Sequence, residues 1–172
     1  SAEALEPIHT AMRLNPHYPT NYPFNLGWAY QRVGQYAEAI AALKEAISLN
    51  PNFIIAYTTL AISYRLQWVS QQSPAGQLLE PAMTAVQQAL ALNDSWHWNH
   101  VVSGLIYLYQ QHYEQALAEM ERGMALAPTE AGTYAALAMV LSCVGRTEDA
   151  LAAAAQALRL KSEVADEHLG II

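Results

Sequence analysis

The sequence predicts an all-α solenoid of antiparallel helix pairs, and three observations carry that prediction. The first is recurrence. Gly27, Tyr30, Tyr36, Ala39 and Pro51 return as Gly104, Tyr107, Tyr113, Ala116 and Pro128, and again, with losses, as Ala138, Leu141, Gly145, Ala150 and Ala157. The steps from Gly104 to Ala138 and from Pro128 to Ser162 are each about 34 residues, a period that marks a repeat array. The second is what one period contains. A helix carrying Leu26, Gly27 and Tyr30 breaks at Gly34, and another carrying Ala39, Leu43 and Ala46 stops before Pro51. The third is composition. Hydrophobic residues make up 53% of the chain, with alanine abundant and Val and Ile sparse, which favours helix over strand.

The spacing, the small residue one turn before an aromatic and the paired alanines resemble the tetratricopeptide repeat. That family's usual pattern places Trp, Leu-Gly and Tyr on helix A, then Ala, an aromatic, Ala and Pro on helix B. The resemblance covers nearly the whole chain and implies a right-handed superhelical α-solenoid. It departs at the helix B aromatic, where Leu43, Val86, Met120 and Ala154 stand; all are apolar or small. Asn15-Pro-His-Tyr-Pro19, Asn25-Leu-Gly-Trp-Ala-Tyr30 and Gln88-Ala-Leu-Ala-Leu-Asn-Asp-Ser95 are also similar to repeats attached to bacterial adenylate/guanylate cyclases and related signalling proteins. This implies a bacterial regulatory or scaffolding module whose effector domain lies elsewhere, since no cyclase residues are present.

Taken in order, residues 1–18 read as a half repeat, a B-type helix through Ala4, Leu5, Ile8 and Ala11 that ends at Asn15-Pro16. Full repeats follow at about 20–53, 54–96, 97–130 and 131–164, with the start of a further helix at 165–172. The second of these is overlong. Its excess falls near 67–77, in Ser70-Gln-Gln-Ser-Pro-Ala-Gly76, and reads as an enlarged turn between helices A and B, or as an extra helical turn. Thr147-Glu148-Asp149 is a helix start with a cap and acid in the first turn, and Arg159 and Lys161 stand at its other end. An array opening and closing on half repeats reads as part of a longer protein, with apolar end faces at Ala4, Ile8 and Leu169 to Ile172.

Charge narrows the partners. The net charge is −7, and the eight Lys plus Arg are scattered, so no nucleic-acid surface is expected. No apolar run approaches the ~20 residues of a membrane span, and no signal peptide is visible, so the chain reads as cytoplasmic. Cys143 is alone, which leaves neither a disulfide framework nor a cysteine zinc site. His97 and His100 share a helical face near His112, but a third ligand at useful spacing is lacking, so packing and capping roles are expected and no metal. The chain carries no phosphate loop, nucleophile elbow or zinc-protease motif, and Glu148-Asp149 and Asp166-Glu167 are neighbours that point apart on a helix. No catalytic residue, no cofactor and no enzyme activity are expected.

In the family that the chain resembles, A helices line a concave groove. By register the groove residues would be Asn21, Phe24, Trp28, Gln31 and Arg32 in the first full repeat, and Ile55, Thr58, Ile62, Arg65 and Leu66 in the second. Trp98, Val101, Leu105, Leu108 and Tyr109 follow in the third, and Ala135, Met139, Ser142 and Cys143 in the fourth. Some family members hold a C-terminal carboxylate with Lys, Asn and Arg on these faces. Phe24, Trp28, Thr58 and Ile62 stand here instead, so the expected partner is an apolar peptide or an amphipathic helix. The alternative is a structural module that self-associates into a homo-oligomer through its open ends.

Overall fold

The computed structural model describes residues 7, 10, 14, 15, 19–71 and 75–169. Eight helices and no strand are found among the described residues. Helices α1 (Asn21–Arg32), α2 (Tyr36–Leu49), α3 (Ile54–Gln71) and α4 (Ala75–Leu92) lie in one compact unit, Ser1–Asn93. Helices α5 (His97–Tyr109), α6 (Tyr113–Leu126), α7 (Ala131–Cys143) and α8 (Thr147–Leu169) lie in a second, Asp94–Ile172. Within each unit the helices pack in consecutive pairs, and each pair packs on the next. Each unit is an all-α stack of helix pairs, as the sequence predicts.

Glycine shapes the pairs in two places. At Gly34 (φ 80°) and Gly145 (φ 79°) the backbone enters the left-handed region, where a side chain is disfavoured. The N–H of Gln35 then bonds the Tyr30 carbonyl at 3.0 Å, and that of Arg146 bonds Leu141 at 2.9 Å, closing the A helices with a Schellman turn. The α5–α6 turn makes the same bond, His112 N–H to Tyr107 at 2.9 Å, with Gln111 in the left-handed position (φ 63°). Gly27 and Gly104 serve the packing of A on B. A Cβ at Gly27 would lie 2.6 Å from Leu43 Cγ, and one at Gly104 would lie 2.8 Å from Met120 Cε and 3.0 Å from the Ala116 carbonyl.

The overlong repeat is built differently from a loop insertion. Both α3 and α4 run to 18 residues, against 12 and 14 in α1 and α2. The excess therefore lengthens the two helices. Gln67 to Gln71 continues α3, and α4 begins at Ala75 and runs through Pro81. Proline has no N–H to donate, so α4 lacks one backbone bond there.

In the second unit, Val101, Leu105, Leu108, Ala116, Met120 and Val140 form a core, with Trp98, Tyr107, Leu117 and Leu137 packed around it. Leu141, Ala150 and Ala153 form another, which Leu117 and Leu137 also touch. Residues 163–169 continue α8 without a break, so no separate helix begins at 165. Of the opening half repeat, Pro7, Thr10 and Leu14 are helical. Ala4, Ile8 and residues 170–172, on which the end-face expectation rests, lie outside the described residues.

Candidate protein-binding surface

In the first unit the outward face of α1 carries Asn21, Phe24, Trp28 and Arg32, spaced three or four residues apart and so on one side of the helix. Trp28 is 49% exposed, and the Arg32 guanidinium lies 4.8 Å from its ring centroid. That contact is a cation–π pair, and it holds the indole against the helix. Phe24 meets Phe53 with ring centroids 4.9 Å apart, a residue that register on the A helices had not marked. Ile55, at 46% exposure, extends the apolar surface from α3. Ile62 and Arg65 are half-buried on α3. Gln31 is committed to the fold. Its amide nitrogen donates to Ser63 Oγ at 2.9 Å and to the Thr59 carbonyl at 3.3 Å, tying α1 to α3.

Four of the expected groove residues, Thr58, Val101, Leu105 and Leu108, are buried. Thr58 is 1% exposed and donates its hydroxyl to the Ile54 carbonyl. Val101 (0%) and Leu105 (9%) belong to the core of the second unit. The reason is visible in α5, which is buried from Asn99 through Ile106, so its apolar residues are core on most sides. Trp98 and Tyr109 are half-buried, and Trp98 lies beneath Gly132, where a Cβ would meet the indole at 3.3 Å. Met139 is exposed on α7. The residues that present an apolar aromatic surface together are therefore those of α1 and the start of α3.

His100 has no nitrogen to spare for a metal. Its Nδ1 lies 2.9 Å from Glu119 Oε2 and its Nε2 lies 2.8 Å from the Asp94 carbonyl, and both His100 and Glu119 are buried. Arg122 donates to the other carboxylate oxygen at 2.8 Å. Both contacts of the ring face oxygen, so they require either a doubly protonated imidazole or a proton on Glu119. Among the described residues no group of three metal-ligating side chains comes together.

Two clefts lie where the sequence marked none. One, of about 410 Å³, opens between α3 and α4 beside Tyr57, Leu60, Ala85 and Gln88. The other, of about 420 Å³, opens against α7 and α8 beside Tyr134, Leu137, Ala153 and Gln156. These two sets occupy equivalent places in their repeats. In α5 and α6 the places of Tyr57, Ala85 and Gln88 are taken by His100, Glu119 and Arg122, which bond to one another. The repeat register alone could have brought these positions together.

Paired helices, Schellman-closed A helices and a glycine at the A–B contact define a helical-repeat protein. Profiles of the tetratricopeptide repeat match residues 24–53 and 131–168. Those two segments are tetratricopeptide repeats. The fold is similar to that of TTC0263, a thermophilic repeat protein of Thermus thermophilus, at 23% identity over 96% of this chain and 89% of that one, with a TM-score of 0.81. It is similar to the 41-to-end form of MamA from Desulfovibrio magneticus RS-1, at 17% identity over 94% and 86%, with a TM-score of 0.71. It also resembles the first repeat domain of Spaghetti (RPAP3), solved with the HSP90 peptide SRMEEVD, at 22% identity over 73% and 93%, with a TM-score of 0.61. No curated protein matches by sequence. None of the helices described is long and apolar enough to cross a membrane.

Proposed function

We propose that the chain is a non-catalytic protein-interaction scaffold that captures an apolar peptide or an amphipathic helix on the A-helix face of its first unit. The observation that carries this reading is Trp28, half exposed and braced by Arg32 beside the Phe24–Phe53 pair. A large rigid ring costs little side-chain entropy to immobilise, and Trp and Arg are the types enriched at interface hot spots. Family resemblance supports the general role, and the RPAP3 structure is an example of this fold with a peptide bound. That peptide is acidic. Phe24, Trp28, Ile55 and Ile62 would give such a sequence an apolar surface with Arg32 and Arg65 as its cations, which favours an apolar ligand with at most one acidic contact.

The test is a peptide-library selection run in parallel on the wild-type protein and Trp28→Ala. Half of Trp28 is already exposed and its described partner is the exposed Arg32, so the variant should stay folded and lose about 1 kcal/mol. Apolar or amphipathic peptides enriched by the wild type and lost by the variant are the expected result. Equal enrichment by both proteins would move the binding surface away from α1.

A further inference from the structure

His100 is a buried titratable side chain with no part in the Trp28 surface. It lies where α6 crosses α5 closely: a Cβ added at Gly123 would stand 3.7 Å from His100 Cβ. Both ring nitrogens face oxygen, Nδ1 the Glu119 carboxylate at 2.9 Å and Nε2 the Asp94 carbonyl at 2.8 Å. A backbone carbonyl can only accept, so Nε2 carries a hydrogen. The other contact then needs a further proton, on Nδ1 or on Glu119. Arg122 decides between them. Its guanidinium donates to the second carboxylate oxygen at 2.8 Å, and a cation so placed favours the ionised carboxylate. The proton therefore belongs to the ring, which is an imidazolium held between two acceptors.

The charged groups around the ring come from three places. Helix α6 supplies Glu119 and Arg122. The segment entering α5 supplies Asp94, whose carboxylate lies 3.5 Å from Ser95 Oγ. Helix α5 itself supplies His97, one turn away, with its ring centroid 6.0 Å from that of Trp98. Helix α7, which also packs on α5, has no charged residue; its ionisable groups are Tyr134 and Cys143.

We propose that His100 is a proton-dependent latch, which fastens the Asp94–Ser95 segment to α5 and α6 while charged and frees it when neutral. Histidine is the side chain whose charge ordinarily changes between about pH 5 and 8. A neutral imidazole keeps one N–H, and a carboxylate holds it more strongly than a neutral carbonyl does. Loss of the proton thus leaves the Nε2 lone pair against the Asp94 carbonyl, a contact of two acceptors that has to open. Asp94 is the first residue of the second unit, directly after Asn93 ends the first, so the latch acts on the chain where the units join. The latched state has bound a proton that the released state lacks. Acid therefore favours latching, and the stability it contributes is lost as pH rises. The latch is separate from the Trp28 surface, so either proposal can fail without the other.

The experiment is nuclear magnetic resonance of the whole isotope-labelled chain from about pH 5 to about pH 9, a range that spans histidine titration. The ring nitrogen signals of His100 count its hydrogens, and the carbonyl carbon of Asp94 reports the bond that it accepts. The expected result is two ring hydrogens at the acid end and loss of the one on Nε2 as pH rises. The Asp94 signal should move along the same curve. His97→Gln should leave both curves unchanged, which separates the neighbouring ring. Glu119→Gln keeps an acceptor but removes the negative charge, so both curves should move to lower pH. A His100 ring whose hydrogen count stays constant across the range in the wild type overturns the proposal. An Asp94 carbonyl that stays still while His100 titrates overturns it too, since the ring would then not hold that segment.

Discussion

The α3–α4 and α5–α6 pairs solve one packing problem in opposite ways. At equivalent positions the first has Tyr57, Ala85 and Gln88 beside an open cleft, and the second has His100, Glu119 and Arg122 joined by hydrogen bonds. A second difference accompanies the first. The repeats of the two described clefts carry Ala61 and Ala138, and the other two carry Gly27 and Gly104 at that position. A Cβ at either glycine would press on Leu43 or on Met120 and the Ala116 carbonyl. Where that Cβ is present, the facing B helix must accommodate it, and the groove lies in the same repeat. A single methyl group and a short polar network thus distinguish the α3–α4 pair from the α5–α6 pair.

The sharpest way to break this comparison is Glu119→Ala. It leaves Nδ1 of the buried His100 ring without its partner, and an unsatisfied buried polar group costs about 1–3 kcal/mol; we expect about 2 kcal/mol in urea unfolding of the second unit. Replacing the whole set, with His100→Tyr, Glu119→Ala and Arg122→Gln, should cost less than Glu119→Ala alone, by about 1 kcal/mol, because no buried ring nitrogen is left without its partner. An equal or larger loss would mean that the network does more than fill the seam.

Next in size are the glycines. Gly27→Ala should destabilise by about 2 kcal/mol, because the branched Leu43 is fully buried and cannot yield. Gly104→Ala should cost about 1 kcal/mol, since the nearest atom is the flexible end of Met120. Thermal melts of the two variants would reverse the argument if Gly104→Ala proved the worse. The smallest effect sharpens the turns. Gln111→Gly should stabilise by about 1 kcal/mol, as the left-handed position suits glycine there as it does at Gly34 and Gly145.

The fold was legible because its signals are periodic. Gly34, Gly145 and the paired alanines announce helix ends and contacts at fixed intervals, and the helices follow them. In the overlong repeat the sequence left an enlarged turn or an extra helical turn open, because Ser70 to Gly76 is rich in turn-forming residues; α3 runs on to Gln71 and α4 resumes at Ala75. The candidate surface was legible only on α1, whose polar residues leave one apolar face to read. Helix α5 is apolar on nearly every side, so its sequence does not say which of Val101, Leu105 and Leu108 face outwards, and all three are buried. His100 and Glu119 meet across a turn between two helices, and only comparison of the repeats in register, not either segment by itself, brings them together.

The consecutive packing of helices also sets a timescale. Among the described residues, helices pack on the next one or two in sequence, so little chain has to be closed into loops before contacts form. Arrays of local contacts fold within about microseconds to milliseconds, and either end can nucleate. The Schellman bonds at Gln35, His112 and Arg146 are the most local of these contacts, each joining residues five apart in sequence. They can form while a helix pair is still docking, so each unit carries the means to begin folding on its own.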